Sequence, residues 1–277
     1  MERLSQRTIR IMNKINAQLE KIKNENRLGI MTHIVIGNPT LEASQRVAET
    51  MIDAGVDFIE LQIPFSDPMA DGPTIMQANQ TALDGGTTTK DAFALMEHLS
   101  KKTNIPLLFM TYYNIVFNYG VEQFCKDAQK AGCAGLIVPD MPLEQEDHEQ
   151  FMHHATAHDL IAVRLLSPAS TEERIKKNAD VLEGFLYFVG RKGITGTQKS
   201  LDQELGEHIT RLREHIDAPI AVGFGLSTPE HIAAVKNVGA DIAVIGSALL
   251  DTYNNTPENK KDAHIKKHLE GLITAAK

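Results

Sequence analysis

The sequence has 277 residues, enough for one large domain, and its 28 basic and 36 acidic side chains give a formal net charge of −8. This acidic balance argues against a nucleic-acid-binding protein, which needs a basic face to contact phosphates. No apolar run approaches the roughly 20 residues that span a bilayer, and the first residues lack the apolar core of a signal peptide. The two cysteines are too few for a disulfide framework. We therefore expect a soluble, cytoplasmic protein that binds neither nucleic acid nor membrane.

Helical and strand-like patterns alternate along the chain. Apolar residues at helical spacing predict an amphipathic helix over residues 5–26. Runs rich in β-branched residues then predict eight strands, at residues 29–37, 58–64, 106–113, 135–140, 161–167, 184–190, 218–225 and 241–247. Helices are predicted between and after them, at residues 41–54, 73–83, 89–101, 121–131, 143–158, 171–182, 201–216, 229–238 and 259–276.

This alternation predicts an α/β fold with parallel strands joined by right-handed crossovers. In a chain of this length, eight such units fit a (β/α)8 TIM barrel better than an open doubly wound sheet. No linker rich in Pro, Gly or Ser divides the sequence. We predict a single TIM-barrel domain over residues 1–277, with the N-terminal helix in residues 1–28 and the barrel in residues 29–277. Its active site should lie at the carboxyl ends of the strands.

The second predicted strand carries polar residues on one face. Ile59 and Leu61 alternate with Glu60 and Gln62, so an outward apolar face leaves the two polar side chains inside the barrel. A buried carboxylate needs a partner or a catalytic role, and burial raises its pKa toward the range useful for proton transfer. Glu60 is therefore a candidate general acid or base. The alternative is a structural carboxylate bound by backbone amides or a lysine.

The loop after this strand adds two further acidic residues. Asp67 and Asp71 lie among three prolines that stiffen the loop. Asp71 could complete an acid pair with Glu60 or cap the helix predicted to begin at Pro73, and Asp67 could be a turn residue. The polarity pattern leaves these alternatives open.

Three glycine-rich segments lie where the last three predicted strands end, at residues 190–196, at residues 223–225, and at Gly246 with Ser247. Glycine lets backbone amides approach an anion closely, and a following helix N-terminus adds partial positive charge. Barrel enzymes often bind phosphate in the last loops, so we predict a phosphate site here, with ordinary turns as the alternative. No Walker or dinucleotide-binding motif accompanies these glycines.

The motifs together resemble the α subunit family of tryptophan synthase, over about residues 31–248. The segments that carry the resemblance are IELQIPFSDPMADGPT at residues 59–74, YYNIVFNYG at 112–120, Arg191 with GITG at 193–196, GFG at 223–225 and GSA at 246–248. The resemblance implies retro-aldol cleavage of indole-3-glycerol phosphate to indole and glyceraldehyde 3-phosphate in tryptophan biosynthesis. It implies no metal and no organic cofactor in this chain.

The resemblance also implies roles for individual residues. Glu60 would be the general acid/base that moves protons between indole C3 and the glycerol hydroxyl. Asp71 would hold the indole N–H and stabilise the positive charge of the intermediate. The residues implied to contact the substrate or to lie beside these two groups are Tyr187, Thr195, Gly196, Phe224, Gly225, Gly246 and Ser247. Residues 65–72 and 190–200 match a pair of mobile loops that closes the site, with Thr195 touching Asp71.

Four positions depart from the family's pattern. Gln62 stands where a glycine is usual, and it would either crowd the pocket or hydrogen-bond the Glu60 carboxylate. His33 replaces the apolar residue that commonly lines the indole side of the first strand. Gly190 and Lys192 replace a commoner serine and a small residue. These departures bear on loop closure and on the rate.

The resemblance implies a partner, a β subunit that contains pyridoxal phosphate and forms an α2β2 complex with the α subunit. Two alternatives remain, a stand-alone indole-3-glycerol phosphate lyase and a weakly catalytic regulatory paralogue. The presence of both Glu60 and Asp71 argues against the paralogue, because a binding role alone needs no buried acid pair.

Overall fold

The structure is a computed structural model, which describes residues 13–190, 198–223 and 225–277. Eight parallel strands form a closed barrel in chain order, in which the first strand pairs with both the second and the eighth. The predicted TIM barrel is therefore confirmed. The strands are β1 (Gly29–Val35), β2 (Phe58–Gln62), β3 (Leu107–Met110), β4 (Gly135–Ile137), β5 (Ile161–Leu166), β6 (Leu186–Val189), β7 (Ile220–Gly223) and β8 (Ile242–Ile245).

Helices surround this barrel and connect its strands. Within the described ranges none is long and apolar enough to cross a membrane. The helices are α1 (Lys14–Asn24), α2 (Leu41–Ala54), α3 (Pro73–Asp84), α4 (Thr89–Ser100), α5 (Tyr113–Tyr119), α6 (Val121–Lys130), α7 (Glu146–Glu149), α8 (Phe151–Ala157), α9 (Glu172–Ala179), α10 (Gln198–Arg213), α11 (Pro229–Asn237), α12 (Ser247–Asn254) and α13 (Lys261–Ala276).

The N-terminal helix closes the amino end of the barrel. Of the predicted span, the structure describes α1, which begins after the capping side chain of Asn13, and residues 1–12 lie outside the described residues. Ile15, Leu19 and Ile22 of this helix are buried in the same apolar cluster as Phe58 of β2. Burial of this stripe removes apolar surface from water at the end of the barrel opposite the expected active site.

One predicted helix needs correction, and two helices were not predicted. The helix predicted over residues 143–158 is divided, because Gln150 takes a left-handed conformation (φ 52°) between α7 and α8. The Glu146 carboxylate accepts hydrogen bonds from the backbone N–H groups of Met152 and His153, so it caps the second piece. Two short helices, α5 and α12, were not predicted, and both directly follow strands at the carboxyl end of the barrel.

The two faces of each strand pack into different layers. Ile59 and Leu61 of β2 belong to the large cluster between the barrel and its helices. Phe58 and, on the next strand, Leu108 belong to the cluster inside the barrel. Alternation along β2 therefore directs Glu60 inward, as the sequence pattern predicted.

An ion pair fixes the chain between α1 and the barrel. The Asp57 carboxylate, just before β2, is 3% exposed. It accepts hydrogen bonds from both terminal nitrogens of the Arg27 guanidinium, at N···O distances of 2.6 and 2.7 Å. It also accepts the Gln18 amide of α1 and the backbone N–H of Ile30 in β1. One buried carboxylate thus joins α1, β1 and β2, and its charge is compensated by bidentate hydrogen bonding.

Replacement of this carboxylate should destabilise the fold. We expect Asp57→Asn to lower the free energy of unfolding by about 3 kcal/mol, because it leaves the Arg27 guanidinium without its buried counter-charge. Urea denaturation measures the change. Glu25→Gln is the matched control, since Glu25 is the exposed second partner of Arg27 and should contribute little. Equal losses from the two substitutions would contradict this account.

Candidate active site

Glu60 lies inside the barrel with its side chain directed away from solvent. It is 3% exposed and aligns with His33 of β1 on one side and Leu108 of β3 on the other. Among the described residues no cation forms an ion pair with Glu60, and its hydrogen-bond partner is the Tyr187 hydroxyl of β6, 3.4 Å from Oε2. The alternative of a carboxylate bound by a lysine or by backbone amides finds no support in these contacts.

This environment favours the protonated form of Glu60. Burial and, to a smaller extent, the nearby negative charge of Asp71 raise the pKa of its carboxyl, the hydrogen bond from Tyr187 lowers it, and the net result is a pKa of about 8. Burial also raises the pKa of Tyr187, which therefore stays a hydroxyl donor. A carboxyl group with a pKa near 8 can both give and take a proton near neutral pH.

Gly223 makes room for the tyrosine that contacts Glu60. A Cβ atom at Gly223, the last residue of β7, would lie 2.9 Å from Cε2 and 3.1 Å from the hydroxyl of Tyr187. Such a contact is too short for carbon, so any larger residue would displace the ring. Gly223 therefore has a packing role in addition to its place in a glycine-rich segment.

Asp71 lies in the loop between β2 and α3 and is held by two side chains. Its Oδ2 accepts the Gln62 amide at 2.7 Å and the Tyr112 hydroxyl at 3.0 Å. The Tyr112 hydroxyl in turn accepts the backbone N–H of Ala70, and its ring stacks on Phe65 at 5.2 Å. These contacts attach the loop between β2 and α3 to side chains of the barrel.

The structure separates the alternatives for the two loop aspartates. Gly72, not Asp71, is the N-cap of α3, and no side chain caps that helix. Asp67 is exposed, accepts the Ser66 hydroxyl, and its carbonyl accepts the backbone N–H of Met69, as expected of a turn residue. Of the two, Asp71 therefore lies in the site.

One of the two expectations for Gln62 was a hydrogen bond to the Glu60 carboxylate. The structure instead pairs Gln62 with Asp71 and His33. Its amide nitrogen binds Asp71, and its Oε1 lies 2.9 Å from Nε2 of the buried His33. Burial lowers the pKa of His33. The pairing of His33 with Gln62 joins neighbouring strands, and inward alternation on both strands was the signal that could have found it. The contact of Tyr112 with Asp71 depends on loop geometry, for which the sequence carries no comparable signal.

The predicted phosphate residues lie at the ends of neighbouring strands. Gly225 follows β7 with a left-handed backbone (φ 68°), which favours glycine. Gly246 follows β8 and is the N-cap of α12, and Ser247 is the first residue of that helix. Backbone N–H groups at a helix N-terminus attract anions, so the unpredicted helix α12 provides the helix N-terminus that a phosphate site here requires. Thr195, Gly196 and Phe224 lie outside the described residues.

A cavity of about 510 Å³ opens at the same end of the barrel. Its lining includes the apolar residues Ala70, Leu165 and Val189 and the basic residues Arg174 and Lys177. It neighbours the site through Ala70, one residue before Asp71, although Glu60 and Asp71 do not line it. Its volume is in the range of small-molecule sites.

Comparisons with known proteins agree on one family. The family model described as "Tryptophan synthase alpha chain" matches residues 19–275. The tryptophan synthase alpha chain of Prochlorococcus marinus subsp. pastoris is 37% identical over 96% of this chain and 94% of its own. That of Syntrophotalea carbinolica is 45% identical over 79% of this chain and 85% of its own.

Solved structures show the same relationship. The crystal structure of tryptophan synthase subunit alpha from Legionella pneumophila superposes with a TM-score of 0.86 at 29% identity, covering 96% of this chain and 98% of that one. A chain of Mycobacterium tuberculosis tryptophan synthase superposes with a TM-score of 0.85 at 29% identity, covering 95% and 97%.

The raised pKa of Glu60 should make stability depend on pH. Between the ordinary value of 4.5 and the folded value of about 8, the folded protein binds more protons than the unfolded chain. The contribution of Glu60 to the free energy of unfolding therefore falls as pH rises through this range, by up to about 1.4 kcal/mol per pH unit.

Glu60→Gln removes this titration, so we expect the variant to gain stability relative to the unaltered protein from about pH 5 to about pH 8. Urea denaturation across this range measures the difference. Glu270→Gln, on an exposed position of α13, is the control and should run parallel to the unaltered protein. A constant difference between the Glu60 variant and the unaltered protein would show that the Glu60 pKa is not raised.

Proposed function

Because the chain belongs to the tryptophan synthase alpha chain family, we propose that it cleaves indole-3-glycerol phosphate to indole and glyceraldehyde 3-phosphate. The observation that carries this proposal is a buried carboxyl group, Glu60, whose pKa is raised to about 8 within the same barrel mouth as Asp71. The reaction needs one group that first gives a proton and then takes one, and a second group that stabilises positive charge. Glu60 and Asp71 fit these two roles.

The first step is protonation of the indole ring. The Glu60 carboxyl gives its proton to indole C3, and the C2–C3 double-bond electrons form the new C–H bond. The nitrogen lone pair then forms a C2–N1 double bond, which leaves positive charge on N1. The Asp71 carboxylate accepts the N1–H and stabilises this charge in a site where water is scarce.

The second step breaks the carbon–carbon bond. The Glu60 carboxylate takes the proton of the glycerol hydroxyl next to the ring, and the oxygen electrons form the carbonyl of the aldehyde. The electrons of the broken bond restore the C2–C3 double bond and neutral N1. Glu60 ends protonated as it began, so the cycle consumes no proton, and its pKa near neutrality serves both transfers.

The phosphate would bind opposite this acid pair. Gly225, Gly246 and Ser247 lie at the ends of β7 and β8, where the N-terminus of α12 offers backbone N–H groups. Gly196, Thr195 and Phe224 complete the set of substrate contacts that the family resemblance implies. Fixing the phosphate orients the glycerol hydroxyl toward Glu60, which reduces the entropy cost of the proton transfer.

Glu60→Gln should abolish most of the cleavage. We expect kcat/KM for indole release to fall about 100- to 10,000-fold, because the amide can neither give nor take the proton. Release of indole from indole-3-glycerol phosphate by the purified chain measures the effect. Glu270→Gln should cleave at the rate of the unaltered protein. An unchanged rate in the Glu60 variant would refute the acid/base assignment.

We also propose that a tryptophan synthase β subunit binds at the carboxyl end of the barrel. Large apolar side chains are exposed there, with Met69 in the loop after β2 90% exposed and Phe117 on α5 58% exposed. Exposed apolar side chains next to an active site are typical of a protein-binding surface. The β subunit would therefore contact the loop that carries Asp71, which links partner binding to the site.

Phe117→Asp should weaken this association. We expect the β-subunit concentration that gives half-maximal stimulation of indole release to rise about tenfold or more, while the rate without partner stays the same. Val181→Asp is the control, because Val181 is exposed between α9 and β6, at the amino end. Fast turnover without any stimulation would instead identify a stand-alone lyase.

A further inference from the structure

The hydrogen bonds around Gln62 determine which way its amide faces. A carboxylate oxygen can only accept, so the group 2.7 Å from Asp71 Oδ2 must be the Gln62 NH2. The Gln62 carbonyl oxygen must then face His33, whose Nε2 lies 2.9 Å away. Because a carbonyl oxygen also only accepts, His33 Nε2 must carry a hydrogen. The direction of donation therefore runs from His33 to Gln62 to Asp71.

The imidazole at the start of this chain of donors is fixed in position. His33 is 7% exposed and Gln62 is fully buried. The ring packs against the backbone of Gly246, where a Cβ atom would lie only 3.1 Å from Nδ1. Burial lowers the pKa of the ring and so favours its neutral form, in which the one N–H is on Nε2 and Nδ1 carries the lone pair. The ring cannot turn its N–H away without losing this bond.

We propose that His33 and Gln62 are positioning residues that orient the Asp71 carboxylate for the substrate, an inference that rests on the proposed function. His33 fixes the orientation of the Gln62 amide, and Gln62 together with the Tyr112 hydroxyl holds Oδ2 of Asp71. Oδ1 makes no hydrogen bond to any described side chain, and it is the oxygen presented to the indole N–H.

This arrangement predicts which kinetic constant changes when the orientation of Asp71 is lost. The indole nitrogen is neutral in bound substrate and positively charged after protonation, so the carboxylate's position matters most in the transition state. A misoriented Asp71 should therefore lower kcat more than it raises KM. A residue that merely supported the barrel would change stability, with no reason to favour kcat over KM.

The experiment compares two amide substitutions of the histidine. In His33→Gln, the side-chain nitrogen can reach the place of Nε2 and donate to Gln62, whereas in His33→Asn it reaches only the place of Nδ1. We expect His33→Gln to keep kcat within about threefold of the unaltered protein and His33→Asn to lower it about tenfold. Gln62→Leu, which removes the donor to Asp71, should lower kcat roughly 10- to 100-fold with KM changed less than about threefold.

Equal losses in the two histidine variants, or losses confined to KM, would overturn the inference. Long-range ¹H–¹⁵N spectra of the histidine rings add a measurement that needs no turnover. The hydrogen of His33 should be on Nε2 in the unaltered protein and redistribute to Nδ1 in Gln62→Leu. A hydrogen on Nδ1 in a protein that cleaves substrate overturns only this inference, whereas a fixed Nε2–H without cleavage overturns the proposed function.

Discussion

The burial of the Glu60 carboxyl inside the barrel is the constraint on which the site depends. An ionised carboxylate is costly there, so the group keeps its proton in the free protein, and the hydrogen bond from Tyr187 only partly opposes this effect. Asp71 lies close enough to raise the Glu60 pKa further, yet its own oxygen is held by hydrogen-bond donors. Two carboxyl groups of one strand–loop unit are thereby suited to different tasks.

The sequence predicted the features that depend on local periodicity. All eight strands were placed in order, and α2 was predicted with its observed bounds, because alternating and helical patterns reflect burial on one face. The inward direction of Glu60 followed from the same alternation. The break at Gln150 was missed, since it depends on the Glu146 side chain capping a later turn, and α5 and α12 are too short to show a clear period.

Contacts between side chains from different elements were harder to foresee. Gln62 was expected to crowd the pocket or to hydrogen-bond Glu60, and the structure pairs it with Asp71 and His33. The contact with Asp71 depends on the path of the loop after β2, which brings Asp71 over the strand. The fit of Gly223 against Tyr187 likewise requires the distance between two strands. Spacing within one element shows which way a side chain faces, but partners depend on how the elements pack.

The packing of α1 across the amino end has a consequence for hydration. Because Ile15, Leu19 and Ile22 fill that end, the way from solvent toward Glu60 is the opposite mouth, where the loop with Asp71 and the start of α12 lie. A molecule that fills this mouth must therefore also exclude water from the Glu60 carboxyl group and raise its pKa further. The affinity of the barrel for a ligand and the affinity of Glu60 for its proton are therefore linked, so that each increases the other. The link arises because α1 closes the amino end and leaves one mouth for both the ligand and water.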